Sequence, residues 1–244
     1  VPNKDSSHQP QVHRLRVPIR IKITLPYLIL SLLLAVAAAY LTTQIVIENI
    51  EERFNKQLYE AGKISSELMV SYETQLLETQ RLLANVQGVS DAILADDPNA
   101  LKSLTLGIAA NSQQEAVEFL DLDGNHILSM RHHLGGNPED YDVATGGQTV
   151  FSDLDIVKDI LYRKSDAKGD KFADLVEIDN EYFLYVAGPV YNSLGRLAGI
   201  VLVGRSLPTL TADMRARTFA QMTFYDPSGK VIYSTLPFPQ DLTP

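Results

Sequence analysis

The sequence has 244 residues, 45% of them hydrophobic, a formal net charge of −9 and no cysteine. Without cysteine there is no disulfide framework, thiol nucleophile or thiolate metal site. Five bases and one acid lie in the first 47 residues, leaving 16 bases against 29 acids in the rest; a surface of that sign repels phosphate backbones and argues against nucleic acid as a partner.

The first twelve or so residues, rich in Pro, Gln, Ser and Asn, read as a disordered tail. Ile23 to Ile47 then forms an uncharged run of Leu, Ile, Val and Ala. A helix rising about 1.5 Å per residue needs about 20 apolar residues to cross a hydrocarbon core of about 30 Å, so this run can span. It is too long for the h-region of a cleaved signal peptide, and apolar sequence continues past its nearest small-residue site at Ala37 to Ala39. Lys4, Arg14, Arg16, Arg20 and Lys22 precede it against Asp5 alone, whereas Glu48, Glu51 and Glu52 follow directly. Excess Lys and Arg mark the cytoplasmic flank, so the expected N-terminus is cytoplasmic and the bulk of the chain extracytoplasmic.

Glu48 to Val86 holds no Pro and one Gly, with Ile50, Phe54, Leu58, Ala61, Ile64, Leu68, Tyr72, Leu76 and Leu83 at steps of three, four and seven. That is a helical stripe, able to pack on its own domain, to pair with a second copy as a homodimer seam, or to do both. After a break at Gln87 and Gly88, Asp97 and Pro98 open a further helix, Asn99 to Ala110, with a capping side chain followed by Pro at its first position. The period then changes to two: Ala116 to Asp121 reads as a strand, Leu122 to Asn125 as a turn and His126 to Met130 as the returning strand.

Phe119 to Ser129 aligns without gaps with Phe224 to Ser234, sharing Phe-x-Asp-x-x-Gly-x-x-Ile-x-Ser. Either hairpin chemistry converged or a module was duplicated. Pro138 to Thr149 reads as a Gly- and Asp-rich loop, and Phe151 to Arg163 as a short helix opened by Ser152 and Asp153. Strands follow at Lys171 to Ile178, Tyr182 to Tyr191 and Leu197 to Ser206, and a helix at Thr209 to Phe219.

This order, with the residues Phe119-Leu120-Asp121-Leu122-Asp123-Gly124, Ala187-Gly188-Pro189-Val190 and Gly195 to Val203, resembles the Cache family of extracytoplasmic sensors, with its PAS-like fold. The resemblance implies an α+β chain in which a transmembrane helix continues into a long helix, then a PAS-like antiparallel sheet with flanking helices, then the start of a second such module. The expected divisions are a cytoplasmic tail (1–22), the transmembrane helix (23–47), a long extracytoplasmic helix (48–86), a membrane-distal sensor module (87–207), a connecting helix (208–220) and a truncated second module (221–244). It also implies a small-molecule ligand bound between the sheet and the elements that follow the first hairpin. An output domain of histidine kinase, cyclase or chemoreceptor type would lie beyond these residues.

The candidate ligand contacts are Arg131 and His133 at the end of the second strand, Tyr141 in the long loop, and Phe183 and Tyr185, which period two places on one face. Arg131 can fork a carboxylate, so the expected ligand is small and carboxylate-bearing. With no Trp, the chain lacks the Trp-centred pattern of the amino-acid-binding branch. Adjacent histidines on a strand point to opposite faces, so no more than two of His126, His132 and His133 can converge on a metal without help. Asp121, Asp123 and Asn125 alternate like the start of a calcium loop, but the twelfth position is His132 rather than Glu. No cofactor is implied, and no nucleophile with its base, phosphate loop or paired-carboxylate motif stands out. Two function classes remain: a ligand sensor, and a membrane-anchored structural or interaction module whose core binds nothing. An extracytoplasmic hydrolase ranks below both.

Overall fold

The computed structural model describes residues 19–133, 135–147, 150–165 and 169–242, in two units, Val1–Gln57 and Leu58–Pro244. The tail expected to residue 22, including Lys4, Arg14 and Arg16, lies outside the described residues as far as residue 18. So do residues 148–149 of the expected loop and 243–244 of the second module.

In the first unit the helix α1 (Ile19–Ala84, continuing into the second unit) includes an apolar segment, Ile23–Gln44, of mean hydropathy 2.1. The polar side chains in it are satisfied locally: Thr24, Thr42 and Thr43 each donate to the carbonyl four residues back at 2.8 Å. In a hydrocarbon solvent such bonds are required, because lipid offers no partner to a stray hydroxyl. By length and composition it can cross a membrane.

The second unit begins with the rest of α1. From Tyr72 onward its stripe is buried at Tyr72, Leu76 and Leu83, while Leu58 and Ile64 stay exposed. Gly88, at φ 95°, turns the chain into α2 (Val89–Leu94). Asp97 then caps α3 (Pro98–Asn111), its Oδ1 accepting the N–H groups of Asn99 and Ala100 at 3.0 Å. Both observations follow the local signals that the sequence carries.

Six strands form one antiparallel sheet in the order β3-β2-β1-β6-β5-β4: β1 (Ala116–Leu120), β2 (His126–His132), β3 (Tyr141–Thr145), β4 (Phe172–Ile178), β5 (Glu181–Tyr191) and β6 (Leu197–Ser206). Period two divides their side chains. Val117, Phe119, Met130, Val186, Val201 and Val203 join α1, α2, α3 and α5 (Leu207–Thr218) on one face. Ala116, Leu120, Phe183, Tyr185, Ile200 and Leu202 face a short 3-10 turn (Val150–Asp153) and α4 (Asp155–Leu161) on the other. This is the PAS-like α+β architecture.

Two elements differ from the sequence reading. The loop from Pro138 contains the edge strand β3, paired with β2 from Leu128↔Thr145 to His132↔Tyr141; its residues are mostly exposed, so no buried apolar alternation announces it. The helix expected over Phe151 to Arg163 is instead the 3-10 turn followed by α4, whose N-cap is Leu154 with no side-chain cap.

A separate two-stranded sheet, β7 (Thr223–Tyr225) and β8 (Val231–Ser234), is the second hairpin. Its turn matches the first atom for atom. Asp121 Oδ1 accepts from Asp123 and Asn125 N–H, and Asp226 Oδ1 from Ser228 and Lys230 N–H, all at 2.8–2.9 Å. Gly124 and Gly229 sit at φ 81° and 86°. Asn192 makes the same pair of bonds, to Leu194 and Arg196 N–H at 3.0 Å, between β5 and β6. The shared motif is thus a turn found three times among the described residues, and its chemistry alone does not require duplication.

Gly204 shapes the face opposite the helices. A Cβ there would lie 2.5 Å from Tyr185 Cε1, so the bare glycine lets that ring lie flat on β6. Gly204→Ala is expected to lower stability by about 1–3 kcal/mol, read as the urea unfolding midpoint of the full chain in detergent micelles. An unchanged midpoint would mean that the ring has another place to lie.

Candidate functional site

β1 is bonded on both edges, to β2 and β6, so each of its side chains points to one face or the other. Between Ala116 and Leu120 on the α4 face stands Glu118, with 0% of its surface exposed. An ionised carboxylate there needs partners, since burial of an unpaired charge is prohibitive. Three side chains supply them. His126 Nε2 lies 2.7 Å from Glu118 Oε2, while Arg131 Nη2 donates to Oε1 at 3.4 Å and the Tyr185 hydroxyl donates to Oε1 at 3.1 Å. The pairs Leu120↔His126 and Ala116↔Arg131 place both β2 residues on this face, and Tyr185↔Gly204 adds the tyrosine from β5.

Aromatic rings close the cluster. Phe151, from the 3-10 turn, meets Tyr185 edge-on at 5.4 Å between centroids and His126 at 5.3 Å. Arg131 Cζ lies 5.7 Å from the Phe183 ring centroid, a cation–π contact. On its outer side Arg131 Nη1 reaches Asp179 Oδ2 at 3.4 Å, and that aspartate is 88% exposed. Burial, with the Glu118 charge beside it, pushes the Tyr185 hydroxyl well above its ordinary range and keeps it a donor. The result is a closed polar nucleus: one inner carboxylate, one guanidinium shared between an inner and a rim carboxylate, an imidazole and a phenol.

Of the five residues singled out from sequence, Arg131, Phe183 and Tyr185 come together here. His133 and Tyr141 lie elsewhere. His133 lies past the end of β2, exposed, with Nδ1 3.7 Å from Asp142. Tyr141 pairs with His132, and that register sends it to the helical face, where its hydroxyl donates to the Gln114 carbonyl at 2.6 Å. Burial, then the charge of Glu115, pushes Tyr141 up to about 12. The three histidines go separate ways: His126 to Glu118, His132 to the Asn137 carbonyl at 3.0 Å, and His133 to Asp142.

The sequence profile of a family described as the double sensory domain of two-component sensor kinases matches residues 51–237. The chain belongs to this double Cache sensory family. Among solved structures, the sensor domain of the histidine kinase DctB from V. cholerae aligns at TM-score 0.50 and 16% identity, covering 76% of this chain and 67% of that one. The ligand-binding domain of the chemoreceptor Tlp3 from Campylobacter jejuni, solved with 4-methylisoleucine, aligns at TM-score 0.50 and 13% identity, covering 74% and 67%. At such identities the likeness shows the fold. The chain spans 61–70% of the length of four similar sensor chains. A search of curated protein sequences finds no match.

The sequence reading of this Cache domain missed Glu118 and its bond to His126. Ala-Val-Glu-Phe-Leu reads as an ordinary strand, in which a lone Glu is usually a solvent-facing residue. The available signal was that Ala116 and Leu120, apolar and in phase with Glu118, leave no polar face for it to join. Glu118→Ala is expected to cost about 3–5 kcal/mol, because Arg131 would lose its inner partner. Asp179→Ala, at the exposed rim, should cost no more than about 1 kcal/mol. Urea unfolding of the full chain in detergent reads both, and equal losses would show that Glu118 is not the organising charge.

Proposed function

We propose that this chain is the extracytoplasmic sensor region of a membrane-anchored signalling receptor, its N-terminus cytoplasmic and its Ile23–Gln44 segment the span. A small carboxylate-bearing ligand docks on the α4 face of the sheet and takes the place of Asp179 on Arg131. The observation that carries this reading is the Glu118 cluster. Buried ionic networks rarely add stability over an apolar core of equal volume, so a module serving only as structure gains little from one. Asp179 is the displaceable member, exposed and bound through one oxygen at 3.4 Å. The amino-acid ligand of the similar Tlp3 domain also bears a carboxylate. The unpacked Leu58 and Ile64 of α1 support a homodimer along that helix. Double Cache membership supports β7 and β8 as the opening of a second module, with a kinase, cyclase or chemoreceptor output elsewhere in the protein.

One observation favours the other reading, a module that binds nothing. Glu118, Phe151, Phe183 and Tyr185 already fill the space beside Arg131. Thermal unfolding of the full chain in detergent separates the two, with C3–C6 dicarboxylates, which carry no ammonium group, as probes. The sensor reading expects at least one probe at about 10 mM to raise the melting temperature by about 2 °C or more. That gain should vanish in Arg131→Ala and persist or grow in Asp179→Ala. No gain from any probe, or a gain indifferent to Arg131, would favour the structural module.

A further inference from the structure

Across one end of the sheet, on the face that carries the helices, three polar side chains stand in a row. His132 N–H donates to the Glu115 carbonyl at 2.8 Å, and Arg205 follows the Ala116↔Gly204 pair, opposite Glu115. Cross-strand neighbours hold their Cβ atoms about 5 Å apart, and opposite charges so placed attract. Yet among the described residues no ion pair joins Glu115 to Arg205. Glu115 Oε2 accepts the Ser206 N–H at 3.0 Å, beside the start of α5. Arg205 turns over Tyr72 of α1, its Cζ 5.8 Å from the ring centroid. Of its five N–H groups, one meets a partner, Nη2 to the Gln113 carbonyl at 3.3 Å, and its Nε is buried with none.

Between these charges lies a cavity of about 440 Å³, bounded by Tyr72, Thr209, Leu210 and Asp213 as well as the row itself. That volume suits a small ligand. Tyr72 donates to Asp213, so the cavity sits where α1 and α5 are tied together.

We propose that this cavity is a second ligand site, for a small zwitterion whose carboxylate lies on the free donors of Arg205 and whose ammonium lies on the free oxygen of Glu115. A simple anion would face Glu115 and Asp213, and a simple cation would face Arg205; a zwitterion satisfies both charges and brings no net charge into the cavity. The site is on the opposite face of the sheet from Glu118 and is independent of that cluster.

ω-Amino acids of increasing length, β-alanine, 4-aminobutyrate and 5-aminovalerate, test it as rulers of charge separation, with the corresponding carboxylates and alkylamines as controls. In thermal unfolding of the full chain in detergent, at least one ruler at about 10 mM should raise the melting temperature by about 2 °C or more. Neither parent compound should match it. Arg205→Lys, which keeps the charge but loses the fork, and Glu115→Gln, which can still accept from Ser206, should each reduce the gain at least fivefold in apparent affinity, and Arg131→Lys, which keeps a cation beside Glu118 on the other face, should leave it unchanged. The site is refuted if no ruler exceeds its parents, if the gain survives both cavity variants, or if it disappears with Arg131→Lys.

Discussion

A carboxyl group buried inside a sheet packed on both faces must find its partners from neighbouring strands, and Glu118 imposes that demand on this fold. It takes His126 and Arg131 from β2 and Tyr185 from β5. Tyr185 can reach because Gly204 leaves β6 flat beneath the ring. Phe151 and Phe183 then shield the cluster from water, which strengthens each of its electrostatic contacts. The α4 face is therefore built around a charge, whereas the helical face is built from Val, Leu, Ile and Phe.

The two faces handle charge in opposite ways. Around Glu118 every charged group is matched, and Arg131 is matched twice. At the end of the helical face, Glu115 and Arg205 stand opposite one another and each turns elsewhere, one to a backbone amide and the other to a tyrosine ring. A satisfied nucleus is rigid and specifies one arrangement. An unmatched pair beside a cavity leaves hydrogen-bonding capacity for something else.

Much of the architecture was legible because it is local. The Asp97 cap, the Gly88 break and the Asx turns at Asp121, Asn192 and Asp226 depend on groups within four residues of one another. Their locality also limits what they mean: a turn made three times in one chain is poor evidence of ancestry. Double Cache membership rests on the match over residues 51–237, not on the turn. β3 escaped the sequence reading for the converse reason, since an exposed edge strand is defined by its neighbour β2 rather than by its own pattern.

The sequence alone determined the apolar span, the helical stripe of α1, the alternation of the central strands and the pairing of Phe183 with Tyr185 on one face, because each follows from the period of a single element. Tertiary structure alone decided that Arg131 joins that face and Tyr141 the other, that Glu118 is buried against His126, and that Glu115 meets Arg205 unpaired. These depend on the register between strands far apart in the chain, and a shift of one residue there exchanges the two faces.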